Sequence, residues 1–245
     1  MRRVTAIIAG LGVCLATASG FAETIVNIGT VSQFSSPSDL DLTGDFVKAV
    51  NFAGPDLTVS GLTFSSDEGD PDFVGPNDIA SWATRPEFGD STDDDNLEQI
   101  MHSIRFALNS SADTTLEAHI GVEAGQLYKI QLLISANRNE ARRWDIEIEG
   151  IEAVDEIFSL GLDTDTYDIG RSMVYAHTLI AGDDTLDIRM GNLFGEISSG
   201  DPNPIWQAMT VELVPEPTTT SLMLLGLLAA FATTGRNGRG KTSFL

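Results

Sequence analysis

The sequence predicts an all-β fold, an antiparallel β-sandwich, on three observations. Apolar and polar residues alternate with period two in at least five segments, clusters of Gly, Pro, Asp and Asn separate those segments, and no run of regular βα alternation is present. Thr24 to Phe34, Phe46 to Phe52 and Leu57 to Phe64 are the first strand candidates. Asn96 to Phe106 carries Leu97, Ile100, Met101 and Ile104 at helical spacing and also reads as a strand. From Thr114 to Val122, Leu116, Ala118, Ile120 and Val122 point one way while Glu117 and His119 point the other. Tyr128, Ile130, Leu132 and Ile134 repeat the pattern against Lys129, Gln131 and Ser135. Trp144, Ile146 and Ile148 then alternate with Asp145, Glu147 and Glu149 until Gly150 ends the run as a turn residue. Leu186, Ile188 and Met190 alternate with Asp187 and Arg189, and Met209, Val211 and Leu213 with Thr210 and Glu212. Eight or more short strands of this kind build two packed sheets.

The chain of 245 residues suits one domain with short appendages. With 36 acidic against 14 basic residues the formal charge is -22, which opposes contact with phosphate backbones and excludes nucleic acid as a partner. The lone cysteine permits neither an intramolecular disulfide nor a thiolate metal cluster.

Both ends differ from the body. Residues 1–22 have the three parts of a secretory signal: Arg2 and Arg3, an apolar run from Val4 to Ala18, and small residues before a cleavage point. Signal peptidase is the expected partner there, cutting after Ala18 or, preferred, after Ala22. At the other end, Val214, Pro215, Glu216 and Pro217 precede Thr- and Ser-rich residues, an apolar stretch from Leu222 to Ala232, and the basic residues Arg236, Arg239 and Lys241. Residues 218–235 together approach the length of a short transmembrane helix, and the basic tail 236–245 favours a cytoplasmic C-terminus.

This tail resembles the PEP-CTERM sorting signal. The resemblance implies that an exosortase-type membrane protease reads Val214 to Pro217, removes the helix and releases the protein to the cell surface or extracellular matrix. The basic residues are spread through Arg236 to Lys241, where that family has a tight run. Two prolines also lock φ and withhold donors, leaving an extended segment that a protease can engage.

Setting aside residues 1–22 and 218–245 removes five basic and no acidic residues, so residues 23–217 carry 9 basic and 36 acidic side chains and no cysteine. The ectodomain is thus assigned to residues 23–214 and the sorting signal to 215–245. Its turn-plus-strand Val122 to Leu132, strand-plus-turn Trp144 to Gly150, Asp183 to Ile188 and closing Ile205 to Val211 resemble the galactose-binding-like jelly roll of carbohydrate-binding modules and malectin-like domains. The resemblance implies fold and carries no binding residue over.

Three kinds of chemistry are weighed in this body. Phe88 to Asp93 resembles the first block of GDSL-type esterases, whose serine would be Ser91. A serine nucleophile needs a histidine base, and none of His102, His119 and His177 stands in that family's Asp-x-x-His arrangement. Acidic loops offer oxygen ligands for a structural calcium ion, which jelly rolls of this type often carry; Asp67, Asp70 and Asp72 are the preferred set. No other cofactor is expected. Arg138, Arg142 and Arg143 reverse the local charge in a loop and present planar forks to an acidic polysaccharide. Trp82 or Trp206 offers an aromatic sugar platform, whereas Trp144 belongs to the core. The expected function is that of a non-enzymatic structural or carbohydrate-binding surface protein; the alternative is a secreted hydrolase acting on polysaccharide or esters.

Overall fold

A computed structural model describes residues 29–82, 86–108, 115–135, 142–158, 172–194 and 202–215. The first strand is β1 (Thr30–Phe34), followed by a 3-10 turn at Pro37–Asp39 and β2 (Asp45–Asn51). Residues 57–64, read as one strand, form the hairpin β3 (Leu57–Val59) and β4 (Leu62–Ser66). Its two-residue turn puts Ser60 at φ 51° and Gly61 at φ 85°, the doubly positive conformation that matches strand twist. Two short strands follow, β5 (Phe73–Val74) and β6 (Asn77–Ile79). The segment that read both ways is both: helix α1 (Thr92–Ile100), then β7 (Ile104–Phe106).

The remaining strands are β8 (Leu116–Gly121), β9 (Leu127–Ile134), β10 (Arg143–Ile148), β11 (Ile151–Phe158), β12 (Ser172–Ile180), β13 (Thr185–Gly191), β14 (Ile205–Trp206) and β15 (Ala208–Leu213). Gly150, at φ 71°, closes the β10–β11 turn that its position predicts. A seven-stranded sheet in the order β1-β12-β9-β15-β2-β4-β3 faces a five-stranded sheet in the order β11-β10-β13-β8-β5, and a small third sheet runs β14-β7-β6. All pairs are antiparallel except β2 with β4. The all-β sandwich expected from the sequence is the architecture found.

The main core lies between the two large sheets. Ile130, Leu132, Tyr175, Met209 and Val211 meet Leu116, Trp144, Ile146, Ile188 and Met190 there. Phe52 lies 4.6 Å from the Trp206 ring, and Phe73 stands edge-on to both. The seven-stranded sheet is also covered on its other side. Phe34, Leu133, Val174 and Ala208 of that face pack with Leu40 and Leu42, with Val59 and Phe64, and with Leu97, Ile100 and Met101 of α1. Ser91 caps α1 by accepting from the Asp94 N–H while the Asp94 carboxylate accepts from the Ser91 N–H, and Asp93 to Asp95 sit at the positive end of the helix dipole.

This second cover corrects the expectation that Gln131, Thr210 and Glu212 face water. Gln131 instead clamps the backbone of Asp41, accepting from its N–H at 3.1 Å and donating to its carbonyl at 2.6 Å. Residues 1–28, which include the expected signal 1–22, and residues 216–245, which include the expected membrane segment 218–235, lie outside the described residues. Among those described, no helix is long and apolar enough to cross a membrane.

Candidate functional site

The strand register brings one set of strand ends together. Ile134 ends β9 opposite Met173, near the start of β12; Arg143 opens β10 opposite Phe158, the last residue of β11. Gly191 ends β13 opposite Asp145, and Leu116 opens β8 opposite Met190. Ile205 of β14 pairs with Phe106, the end of β7. The chain therefore crosses between strands repeatedly at this end of the sandwich, where loops can present side chains without disturbing the core.

Trp82 and Arg142 meet here. Trp82 leaves β6 half-buried, its N–H donating to the His102 carbonyl at 2.6 Å, its ring resting on the main core. The Arg142 guanidinium lies 5.6 Å from the centre of that ring, and its Nη1 donates to the Asn203 carbonyl at 3.2 Å. Stacking on the electron-rich face holds the cation against an aromatic wall. Arg142 is only 8% exposed. Nearby in the register, the Asp145 carboxylate accepts from the N–H groups of Leu193 and Phe194, at 2.6 and 3.0 Å, and fixes the exit of β13. Phe194 and Leu108, at the ends of β13 and β7, are exposed apolar side chains at 37% and 39%.

Of the three arginines expected to act together, Arg142 and Arg143 stand at this end, and Arg138 lies outside the described residues. Of the two candidate platforms, Trp82 keeps an accessible side, whereas Trp206 is fully buried and is a core residue. Trp144 is core, as expected. Asp145, expected to face water, is buried beneath residues 193–194. Asn203 and the turn-fixing role of Asp145 carry no sequence signal, since their partners lie about fifty or more residues away.

The three expected calcium ligands divide between two cations of the chain. Lys48 Nζ lies 2.7 Å from Asp70 and 2.7 Å from Asp72, and over the Phe73 ring. Arg105 Nη2 lies 2.8 Å from Asp67 and its Nε 3.0 Å from Asp78. Burial pushes the Asp70 carboxyl up, but the Lys48 hydrogen bond and the Asp72 N–H outweigh it and hold it low. At Asp67, only 2% exposed, burial prevails over the Ala53 N–H and Arg105 and raises it. Lys48 and Arg105 thus supply the positive charge that a calcium ion would bring, and among the described residues no three His, Cys, Asp or Glu side chains gather to hold a metal.

No nucleophile is assembled at Ser91. Its hydroxyl donates to the Asp94 carboxylate at 2.7 Å and accepts from the Asp94 N–H, both capping contacts. His119 pairs with Asp187 at 2.7 Å on the outer face of the five-stranded sheet, beside the ladder in which Arg189 joins Glu117 and Glu147. His177 is buried against the Tyr175 hydroxyl at 3.0 Å. Of the sorting motif, Val214 is tied to the fold through its N–H to the Leu127 carbonyl, and Pro215 is exposed. Glu216, Pro217, Arg236, Arg239 and Lys241 lie outside the described residues.

No protein-family model and no curated protein matches the sequence. Solved structures do. The ANX2 ectodomain from Arabidopsis thaliana superposes with a TM-score of 0.55 at 12% identity, covering 70% of this chain and 50% of that one. The plant receptor-like kinase FER gives 0.55 at 12% identity, with the same 70% and 50% coverage. The ANX1 ectodomain from Arabidopsis thaliana gives 0.51 at 13% identity, covering 71% and 52%. The chain spans about half the length of these receptor structures, and what it shares with them is the fold, a β-sandwich.

Proposed function

We propose that the chain is an exported, non-enzymatic surface or extracellular-matrix protein whose sandwich, a galactose-binding-like jelly roll, binds carbohydrate at the end bearing Trp82 and Arg142. The observation that carries this reading is the stack of Arg142 on Trp82 where the strand ends gather. The half-buried indole of Trp82 offers apolar ring surface to a sugar, and Arg142, buried against that ring and braced by the Asn203 carbonyl, holds it in place. The fold shared with receptor ectodomains supports an extracellular place, as does the signal-peptide pattern of residues 1–22. In this reading Val214 to Pro217 is the processing site of an exosortase-type protease, residues 218–235 are a temporary anchor, and the basic tail 236–245 stays in the cytoplasm until cleavage.

A glycan array and a hydrolysis assay test the binding half. Binding that is lost in Trp82→Ala and Arg142→Ala, without turnover, is the expected result; turnover of the bound glycan would show an enzyme instead. Mass spectrometry of the mature C-terminus tests the sorting half, since a chain from cells that still ends at Leu245 would contradict processing.

A further inference from the structure

On the outer face of the seven-stranded sheet, one carboxyl group is enclosed without a counter-charge of its own. Glu212 stands on β15, opposite Lys129 of β9 and Phe46 of β2. It is 9% exposed, and among the described residues its Oε2 has no hydrogen-bond partner. The strap of residues 35–44 closes over it so tightly that a side chain at Gly44 would collide with Oε1. Three charged groups face it. Lys129 comes from β9, Asp41 from the strap and Asp45 from the start of β2. The single cation among them is spent, because the Lys129 ammonium is paired with the Asp41 carboxylate. Glu212 is thus left with two acids and a neutralised lysine.

Removing an ionised carboxylate from water without a dedicated partner is costly, whereas the neutral acid avoids most of that cost. We propose that Glu212 is carried in the folded protein as a neutral carboxylic acid, and that its ionisation unlatches the strap and the C-terminal end of β15. Ambient pH then sets how firmly the chain is held where it leaves the sandwich. The connection is short. Asp41, which faces Glu212, is bound to the sheet through Gln131 and Lys129, and the last ladder bond of β15, Val214 N–H to the Leu127 carbonyl at 2.8 Å, follows Glu212 by two residues. Burial raises the Glu212 carboxyl, Asp41 and Asp45 add to the rise, and Lys129 opposes it.

The direction of the pH effect follows. A carboxyl that holds its proton more tightly in the folded state leaves the folded protein with more bound protons between the unfolded value, 4.5, and the higher folded one. Stability is therefore full below that window and falls as pH rises through it, opposite to the usual carboxylate.

Two measurements on the full-length chain test the latch: NMR titration of the Glu212 side-chain carboxyl, and the hydrogen-exchange protection factor of the Val214 N–H over the same pH range. Glu212 is expected to titrate above the ordinary glutamate range. The protection of Val214 is expected to fall through that titration, by up to about tenfold for each pH unit of displacement. In Glu212→Gln, and in Glu212→Met as a second shape-conserving variant, the protection should stay level. A Glu212 carboxyl that titrates at the ordinary value overturns the proposal whatever the variants do. So does a displaced titration with Val214 protection unchanged, or an equal fall in the variants.

Discussion

The side-chain amide of Gln207 pairs with the backbone of Ser135 in both directions, donating to its carbonyl at 2.6 Å and accepting from its N–H at 3.0 Å. Gln207 sits between β14 and β15, where the chain departs from strand geometry, so a side chain does there what a strand backbone would have done. Both residues are buried. Gln207→Leu leaves one donor and one acceptor of Ser135 without partners, at about 1 to 3 kcal/mol for each group. Urea unfolding is expected to show a loss of about 2 to 6 kcal/mol with an unchanged m-value. A loss under about half a kcal/mol would mean that the pair contributes nothing net.

Arg105 is the partner of a nearly inaccessible carboxylate. Removing it in Arg105→Met strands Asp67 in the interior, and the expected cost is about 3 to 5 kcal/mol. Asp67→Asn in the same chain removes the stranded charge, so the double variant should recover much of the loss in a thermal or urea melt. Failure to recover any of it would show that the arginine acts through packing of its stem.

His177 gives the protein an acid-sensitive core. Burial holds its imidazole below the usual 6.5, so the unfolded chain takes up more protons than the folded one in the window beneath that value. Stability is present above the window and is lost as pH falls through it. His177→Gln keeps a polar partner for the Tyr175 hydroxyl and should flatten that part of the profile measured by urea unfolding at successive pH values. Its slope runs opposite to that expected from Glu212, so each variant is read against the wild type and not against the other.

Chelation tests the carboxylate loop. Lys48 fills the space between Asp70 and Asp72, and Arg105 meets Asp67, so excess chelator is expected to leave the melting temperature unchanged. A fall would put calcium among these residues after all, since a ligand bound only to the folded state raises its stability.

Period-two alternation located the strands that are covered on one face. β8 and β13 obey it because outer side chains such as Glu117, His119 and Arg189 reach water, whereas in β10 Asp145 keeps the pattern although it is buried. In the doubly covered sheet it still found β9 and β15, whose second face keeps the polar Gln131, Thr210 and Glu212, and failed at β12, where Met173 and Val174 put apolar residues on both faces. It failed again at β11, whose pairing with β10 shifts register around Ile146. The end proposed to bind carbohydrate is half visible in the sequence. A lone basic cluster and a surface tryptophan mark it in the sequence, but Arg142 and Trp82 are sixty residues apart, and only the pairing of β6 with β7 and of β10 with its neighbours brings them together. The choice between Trp82 and Trp206 was equally hidden, because Trp206 is buried by Phe52 and Phe73, aromatic rings far from it in the chain.

The sheet order has a mechanical meaning. Among the described residues β1 lies at the edge of the seven-stranded sheet and pairs with β12 alone, whereas β15, the last described strand, lies inside it between β9 and β2. Tension applied through Pro215 runs along the axis of β15 and loads the ladders on both sides in shear, so their hydrogen bonds must yield together. A transverse pull on β1 peels its ladder one rung at a time. A protein tethered by the chain beyond Pro215 is thus held through a strand gripped on both flanks.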